Sequence, residues 1–133
     1  LYAMAAELGG RVCNTCNRSE IFVGYSTKYG DRAGDFAPIA KYTVKELLAI
    51  GEILHQEMEI PNELIYKTPS DGMCGATDED NLGFTYLELD SYIYDGINTK
   101  SNFGNIRKIK SLYERNKFKL EILKIPGPDF RFA

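Results

Sequence analysis

The chain has 133 residues, 44% apolar and 26% charged, with a formal net charge of −3, which suits one soluble globular domain. No apolar run reaches membrane-span length, and three cysteines, Cys13, Cys16 and Cys74, build no disulfide framework and fit a reducing, cytoplasmic setting. There is no signal-peptide pattern, but the chain opens on Leu1 rather than Met, so that absence carries little weight.

Residues 1–8 combine helix formers with a helical apolar pattern, and Gly9-Gly10 ends it. Residues 11–14 read as a short buried strand, followed by a helix starting near Asn17 to Ser19, either of which can N-cap it, and running to about Gly24. That layout places Thr15 at the carboxyl end of a strand, where open α/β sheets bind ligands. Cys13 and Cys16 have the spacing of a redox or zinc pair. Zinc would need two more ligands from His55 and Cys74, and the strand and turn should point the two thiols apart, so metal use is disfavoured.

Residues 24–39, Gly-Tyr-Ser-Thr-Lys-Tyr-Gly-Asp-Arg-Ala-Gly-Asp-Phe-Ala-Pro-Ile, are the most informative segment. Asp31, Asp35, Lys28, several glycines and several hydroxyls crowd into one loop, followed by apolar Phe36, Pro38 and Ile39. Glycines allow close backbone approach to a ligand, and carboxylates and lysine read sugars, phosphates and metals. A polar surface loop without a ligand could share this composition.

Thr43-Val-Lys-Glu46 is a capping box, and Val44, Leu47, Leu48, Gly51 and Leu54 repeat at helical spacing behind it, so a helix packs by that stripe as core. His55 falls near its end as a surface or helix-terminal residue. A short helix spans Asn62 to Ile65, and residues 68–80 read as a loop. A second capping box, Thr85-Tyr-Leu-Glu88, opens a helix to about Asp95 that Gly96 closes. A last helix covers 104–123, until Pro126 and Pro128 stop it.

Charge is unevenly spread. Residues 1–96 hold 7 Lys/Arg against 16 Asp/Glu, while the basic tail, about 97–133, holds 9 against 3. Such a tail could bind nucleic acid. Its basic residues follow a helical period without base-stacking aromatics, so delivery of lysines to nucleotide phosphates is preferred.

Asn14-Thr-Cys-Asn-Arg-Ser-Glu20, with Gly24-Tyr25, Thr27-Lys-Tyr-Gly-Asp31 and Asp35, resembles the NAD synthetases, ATP-dependent ligases that amidate deamido-NAD. Lys67-Thr-Pro-Ser-Asp71, Thr77-Asp-Glu-Asp-Asn-Leu-Gly-Phe-Thr-Tyr86 and Leu89-Asp90 extend the match in order over about residues 1–129. The resemblance implies a Rossmann-like α/β fold of the adenine-nucleotide α-hydrolase (N-type ATP pyrophosphatase) type, a parallel sheet flanked by helices. It further implies that residues 1–133 are the C-terminal part of a single synthetase domain, because the Ser-Gly-Gly-x-Asp-Ser pyrophosphate loop with which the family begins is absent here. By itself this part should be inactive.

By matched position, Thr15 and Ser70 contact ATP, Lys28, Asp35 and Lys119 contact deamido-NAD, and Glu20 ligates Mg2+. Ammonia is the implied nitrogen donor, with a glutamine-using form open, and a homodimer the implied assembly. Val44 stands where the family often has an ATP-contacting lysine, which leaves Lys45 or Lys41 as candidate substitutes; Phe118 replaces the histidine that the family pairs with the lysine at position 119, and Arg32-Ala33 replace two glycines. The bland reading of Glu20 is a helix-dipole residue, and of the others solvated surface. Competing functions are an inactive fragment that folds or dimerises, and a nucleic-acid module using the basic tail.

Overall fold

The computed structural model describes residues 1–72, 74–96 and 102–120. Among the described residues seven helices follow in chain order: α1 (Tyr2–Leu8), α2 (Arg18–Val23), α3 (Val44–Met58), α4 (Asn62–Ile65), α5 (Asp78–Leu82), α6 (Tyr86–Asp95) and α7 (Phe103–Asn116), with a 3-10 turn at Lys117–Lys119. The end expected for the last helix near residue 123, with Pro126 and Pro128, lies outside the described residues.

The starts of the central helices are written in their caps. Asn17, Thr43, Thr77 and Thr85 each accept the N3 backbone N–H and receive the N3 side chain in return, closing reciprocal capping boxes on α2, α3, α5 and α6. Asn17, not Ser19, therefore caps α2. Helix α5 departs from the loop expected over 68–80. Its cap is completed by Asp80, and three residues on, Gly83 takes φ 71° to end it.

The expected strand is reduced to an isolated parallel bridge between Cys13 and Phe36. Asn14 N–H donates to Phe36 O and Asp35 N–H to Val12 O, both at 2.8 Å. Two bonds are too few to extend a ladder, and among the described residues no further strand joins them.

The core gathers Val23, Leu82, Phe84, Tyr86, Leu89 and Ile109, with Phe22, Tyr92, Ile93 and Leu112 packed against it. Phe22 stacks on Tyr113 at 4.8 Å and meets Tyr92 edge-on at 6.1 Å, which joins α2 to α6 and α7. The α3 stripe was expected to be core; Val44 does pack against the core, but no residue of α3 is fully buried. Val44, Leu47, Leu48 and Gly51 also line a groove of about 580 Å³ with Leu64 and Ile65 of α4. Gly51 lets α4 approach, since a Cβ there would come within 2.7 Å of Ile65.

One polar junction ties α2, α3 and α6. Ser19 and Asp90 are almost fully buried; Ser19 Oγ donates to Asp90 Oδ1, accepts Val44 N–H at 3.1 Å, and Asp90 Oδ2 accepts Lys45 N–H at 2.9 Å. Asp90→Ala would leave two buried donors without partners. A loss of about 2–4 kcal/mol is expected, at the upper end of a charged hydrogen bond plus the unpaired partner. Urea unfolding of the full-length variant checks this, and a loss below about 1 kcal/mol would assign the junction little weight.

Candidate functional site

The bridge, the N-terminus of α2 and the 24–35 loop converge. Asn14, buried, organises the meeting point: its Oδ1 accepts Cys16 N–H at 2.9 Å, making an Asx turn, and its Nδ2 donates to Asp31 O at 2.8 Å. Thr15 is the exposed residue carried at the tip of that turn. Gly34 passes so close to Asn14 that a Cβ would lie 2.8 Å from the Asn14 backbone nitrogen, so only glycine fits. Cys16 is buried with its Sγ 3.6 Å from Asp31 O, whereas Cys13 is exposed, which separates the two thiols as expected.

The loop carries its own scaffold. Thr27 N–H donates to Asp31 Oδ1 at 2.7 Å, and Gly30 and Arg32 N–H both donate to Thr27 O. Asp35 Oδ2 accepts Val12 N–H at 2.7 Å, so this carboxylate closes the loop onto the bridge. A carboxylate has about four lone-pair sites, so one backbone bond leaves capacity for hydroxyl groups. The Lys28 ammonium lies 5.4 Å from the centre of the Tyr29 ring and 5.8 Å from that of Phe118, so Phe118 stacks under a cation.

Glu20 sits in the first turn of α2, where its Oε2 accepts Asn17 N–H at 2.8 Å. Burial raises its pKa above the ordinary 4.5, and the charges of Asp78 and Asp31 add to the rise. Asp78 is buried; its Oδ2 accepts the Tyr86 hydroxyl at 3.1 Å, while its Oδ1 has no hydrogen-bond partner. Burial, then the Glu20 and Asp78 charges, hold the Tyr86 hydroxyl well above the usual tyrosine range. These are hard oxygen donors in an environment short of positive charge, which suits Mg2+. Among the described residues no three His, Cys, Asp or Glu side chains group closely enough to hold an ion alone. Glu20 would therefore supply one ligand, and substrate phosphates and water the remainder.

A cavity of about 920 Å³ opens between the loop and α7. Gly24, Ser26, Thr27 and Asp31 form one wall, and Lys108, Arg115 and Lys119 bring positive charge to the other. Of the expected site residues Lys119 alone lines this cavity; Thr15, Glu20, Lys28, Asp35 and Ser70 do not. Ser70 is exposed beside Pro69, whose carbonyl accepts Asp78 N–H at 3.0 Å. Of the two lysines weighed as substitutes at Val44, Lys45 lines the α3–α4 groove beside Val44 and Lys67.

Sequence reasoning did not single out Asn14, Asp78 or Asn116. Asn14 and Asp78 make their decisive contacts across turns and between helices, without a spacing signature. Asn116 donates from Nδ2 to Val23 O at 2.7 Å across 93 residues, which no local pattern announces.

The NAD synthase family model matches residues 1–123, and the chain belongs to that family. The NH3-dependent NAD+ synthetase of Finegoldia magna is 40% identical over 119 residues, covering 89% of this chain and 48% of that protein. The one from Thermococcus sibiricus is 42% identical over 109 residues, covering 81% and 41%. The solved NMN synthetase of Francisella tularensis superposes with a TM-score of 0.83 at 31% identity, over 98% of this chain and 51% of that one. The fold is thus that of the solved NMN synthetase. The chain spans about half the length of the curated relatives it matches.

The raised Glu20 pKa has a stability consequence. The folded state holds the Glu20 proton above pH 4.5, where the unfolded state releases it, so this group's contribution falls as pH rises from 4.5 through the folded value. Glu20→Gln preserves the capping box and removes the buried charge. Without Mg2+, the melting-temperature difference between variant and wild type should move in the variant's favour between pH 4.5 and pH 7.5. A difference independent of pH would show that Glu20 carries no burial penalty.

Proposed function

We propose that this chain is the C-terminal part of a synthetase domain that amidates deamido-NAD to NAD with ATP and ammonia. The observation that carries the reading is the loop from Gly24 to Asp35, which Asp35 closes onto the bridge that leads into the α2 N-terminus bearing Glu20, and whose Lys28 lies over the Phe118 ring. The family match and the names of the relatives support it.

In this reading the nicotinate carboxylate oxygen attacks the α-phosphorus of ATP, and the bond to pyrophosphate breaks. Ammonia then attacks the acyl carbon, AMP departs with its bonding electron pair, and the nitrogen loses a proton to leave the amide. Thr15 and Ser70 offer hydroxyl groups to ATP. Lys28 pairs with a phosphate or carboxylate as a point charge, and Asp35 accepts ribose hydroxyls with the capacity its Val12 bond leaves. Lys119 serves deamido-NAD from the cavity wall opposite the start of the loop. Mg2+ held at Glu20 would neutralise the crowded phosphates and polarise the reacting phosphorus. Holding the acyl adenylate in line and away from water is the protein's remaining task.

The parallel Cys13–Phe36 bridge is read as a fragment of the parallel Rossmann-like sheet of an adenine-nucleotide α-hydrolase fold. The enzyme is taken as a cytoplasmic homodimer, and among the described residues no helix is long and apolar enough to cross a membrane. A second substrate reading is nicotinate mononucleotide, favoured by the likeness to a solved NMN synthetase.

Turnover by the full-length protein with ATP, Mg2+ and ammonia, offered either nicotinate substrate, tests the proposal. NAD formation from the dinucleotide supports it, preference for the mononucleotide selects the second reading, and no amidation of either overturns both. Asp35→Asn retains an acceptor for Val12 N–H but loses the charge. It should keep the wild-type melting temperature and raise the deamido-NAD Michaelis constant about tenfold or more, with the ATP constant little changed. A lower melting temperature with equal damage to both constants would make Asp35 a loop-closing residue only.

A further inference from the structure

The Lys119 ammonium donates to Gly24 O and to Ser26 O, both at 2.7 Å, and Asn116 Nδ2 donates to Val23 O at 2.7 Å. Three carbonyls at the exit of α2 and the entry to the loop are therefore held by two side chains, one ending α7 and the other closing the turn after it. The fit is close. Gly24 takes φ 65°, and a Cβ there would lie 2.4 Å from Asn116 Cβ, so glycine is required both by conformation and by the asparagine packed against it. The carbonyl of Gly24 has left the helical direction at this αL residue, and the carbonyl of Ser26 lies in the loop, so neither accepts a helix bond. A cation between them offsets two acceptors that would otherwise repel each other across a short gap.

We propose that Asn116 and Lys119 are positioning residues: they fix the loop that carries Lys28, Asp31 and Asp35, and Lys119 acts on deamido-NAD through that loop. The proposal rests on the functional reading above for its ligand but not for its geometry. A lysine that only met the ligand would turn to water when the ligand leaves. Here the ammonium already has two, in the backbone of the loop itself. Lys119 and Asn116 also line the cavity that the loop walls, so loosening them changes the shape of the site from within.

The test uses Asn116→Ala, Lys119→Met and Lys119→Arg in the full-length protein. Amide hydrogen exchange over residues 24–33, the melting temperature and the Michaelis constants of deamido-NAD and ATP are measured together. Asn116→Ala and Lys119→Met should each speed exchange in the loop about tenfold and raise the deamido-NAD constant about tenfold, with the ATP constant within about twofold. Lys119→Arg, which keeps a cation and its donors, should recover most of both effects. Lost deamido-NAD affinity with unchanged exchange would mean that Lys119 meets the ligand directly, and overturns the proposal. Faster exchange with both constants unchanged overturns it too, as does equal damage to both substrates with a lower melting temperature. If the wild-type protein amidates no nicotinate substrate, the functional reading fails separately. Exchange in the variants then still decides whether the clamp holds the loop.

Discussion

A buried carboxylate at the N-terminus of a helix organises this molecule. Asp90 is taken from water, yet it accepts Ser19 O–H and Lys45 N–H, and it faces the positive end of the α3 dipole. With Thr43 capping the same turn, the first N–H groups of α3 are satisfied from α2, from α6 and from the cap. Burying a charge is unfavourable unless its hydrogen bonds are made, and here they are made by groups of fixed position. The junction accordingly sets the relation of three helices rather than merely adding attraction between them. Glu20 is the residue after Ser19, so whatever fixes Ser19 also aims the carboxylate proposed to take Mg2+.

The loop is held by a second principle, backbone recognition by side chains. Asn14 binds Asp31 O, Asp35 binds Val12 N–H, Asn116 binds Val23 O, and Lys119 binds Gly24 O and Ser26 O. A glycine-rich loop would otherwise lose much conformational entropy on ordering, which weakens any ligand that must order it. Tethers from the bridge and from α7 place that ordering in the fold, before a substrate arrives. Arg32-Ala33, in place of two glycines, act in the same direction by limiting backbone freedom.

Legibility followed the range of the interactions. Capping boxes are local, and Thr43-Val-Lys-Glu46 and Thr85-Tyr-Leu-Glu88 marked α3 and α6 to the residue. Helix α5 was hidden because its box ends in Asp80 rather than glutamate or glutamine, inside a stretch whose glycines and acids read as loop. The α3 stripe showed a helix correctly but not what would cover it, for periodicity gives a face without naming its partner. Lys28, Asp35 and Glu20 were singled out by residue order, and they lie on the loop and in the first turn of α2. The residues that hold that loop, Asn14 and Asn116, were not, because each acts on backbone carbonyls distant in sequence.

Charge separation along the chain acquires a spatial meaning from these contacts. The acidic part supplies Glu20, Asp31 and Asp78, and the charges of the two aspartates add to the rise that burial imposes on the Glu20 pKa. The basic part supplies Lys108, Arg115 and Lys119 to the far wall of the cavity. Acidic and basic parts of the sequence, distant along the chain, thus face each other across one cavity, Asp31 on the loop wall and the three cations on the other. The Lys119 ammonium, held between two carbonyls, ties that wall directly to the start of the loop.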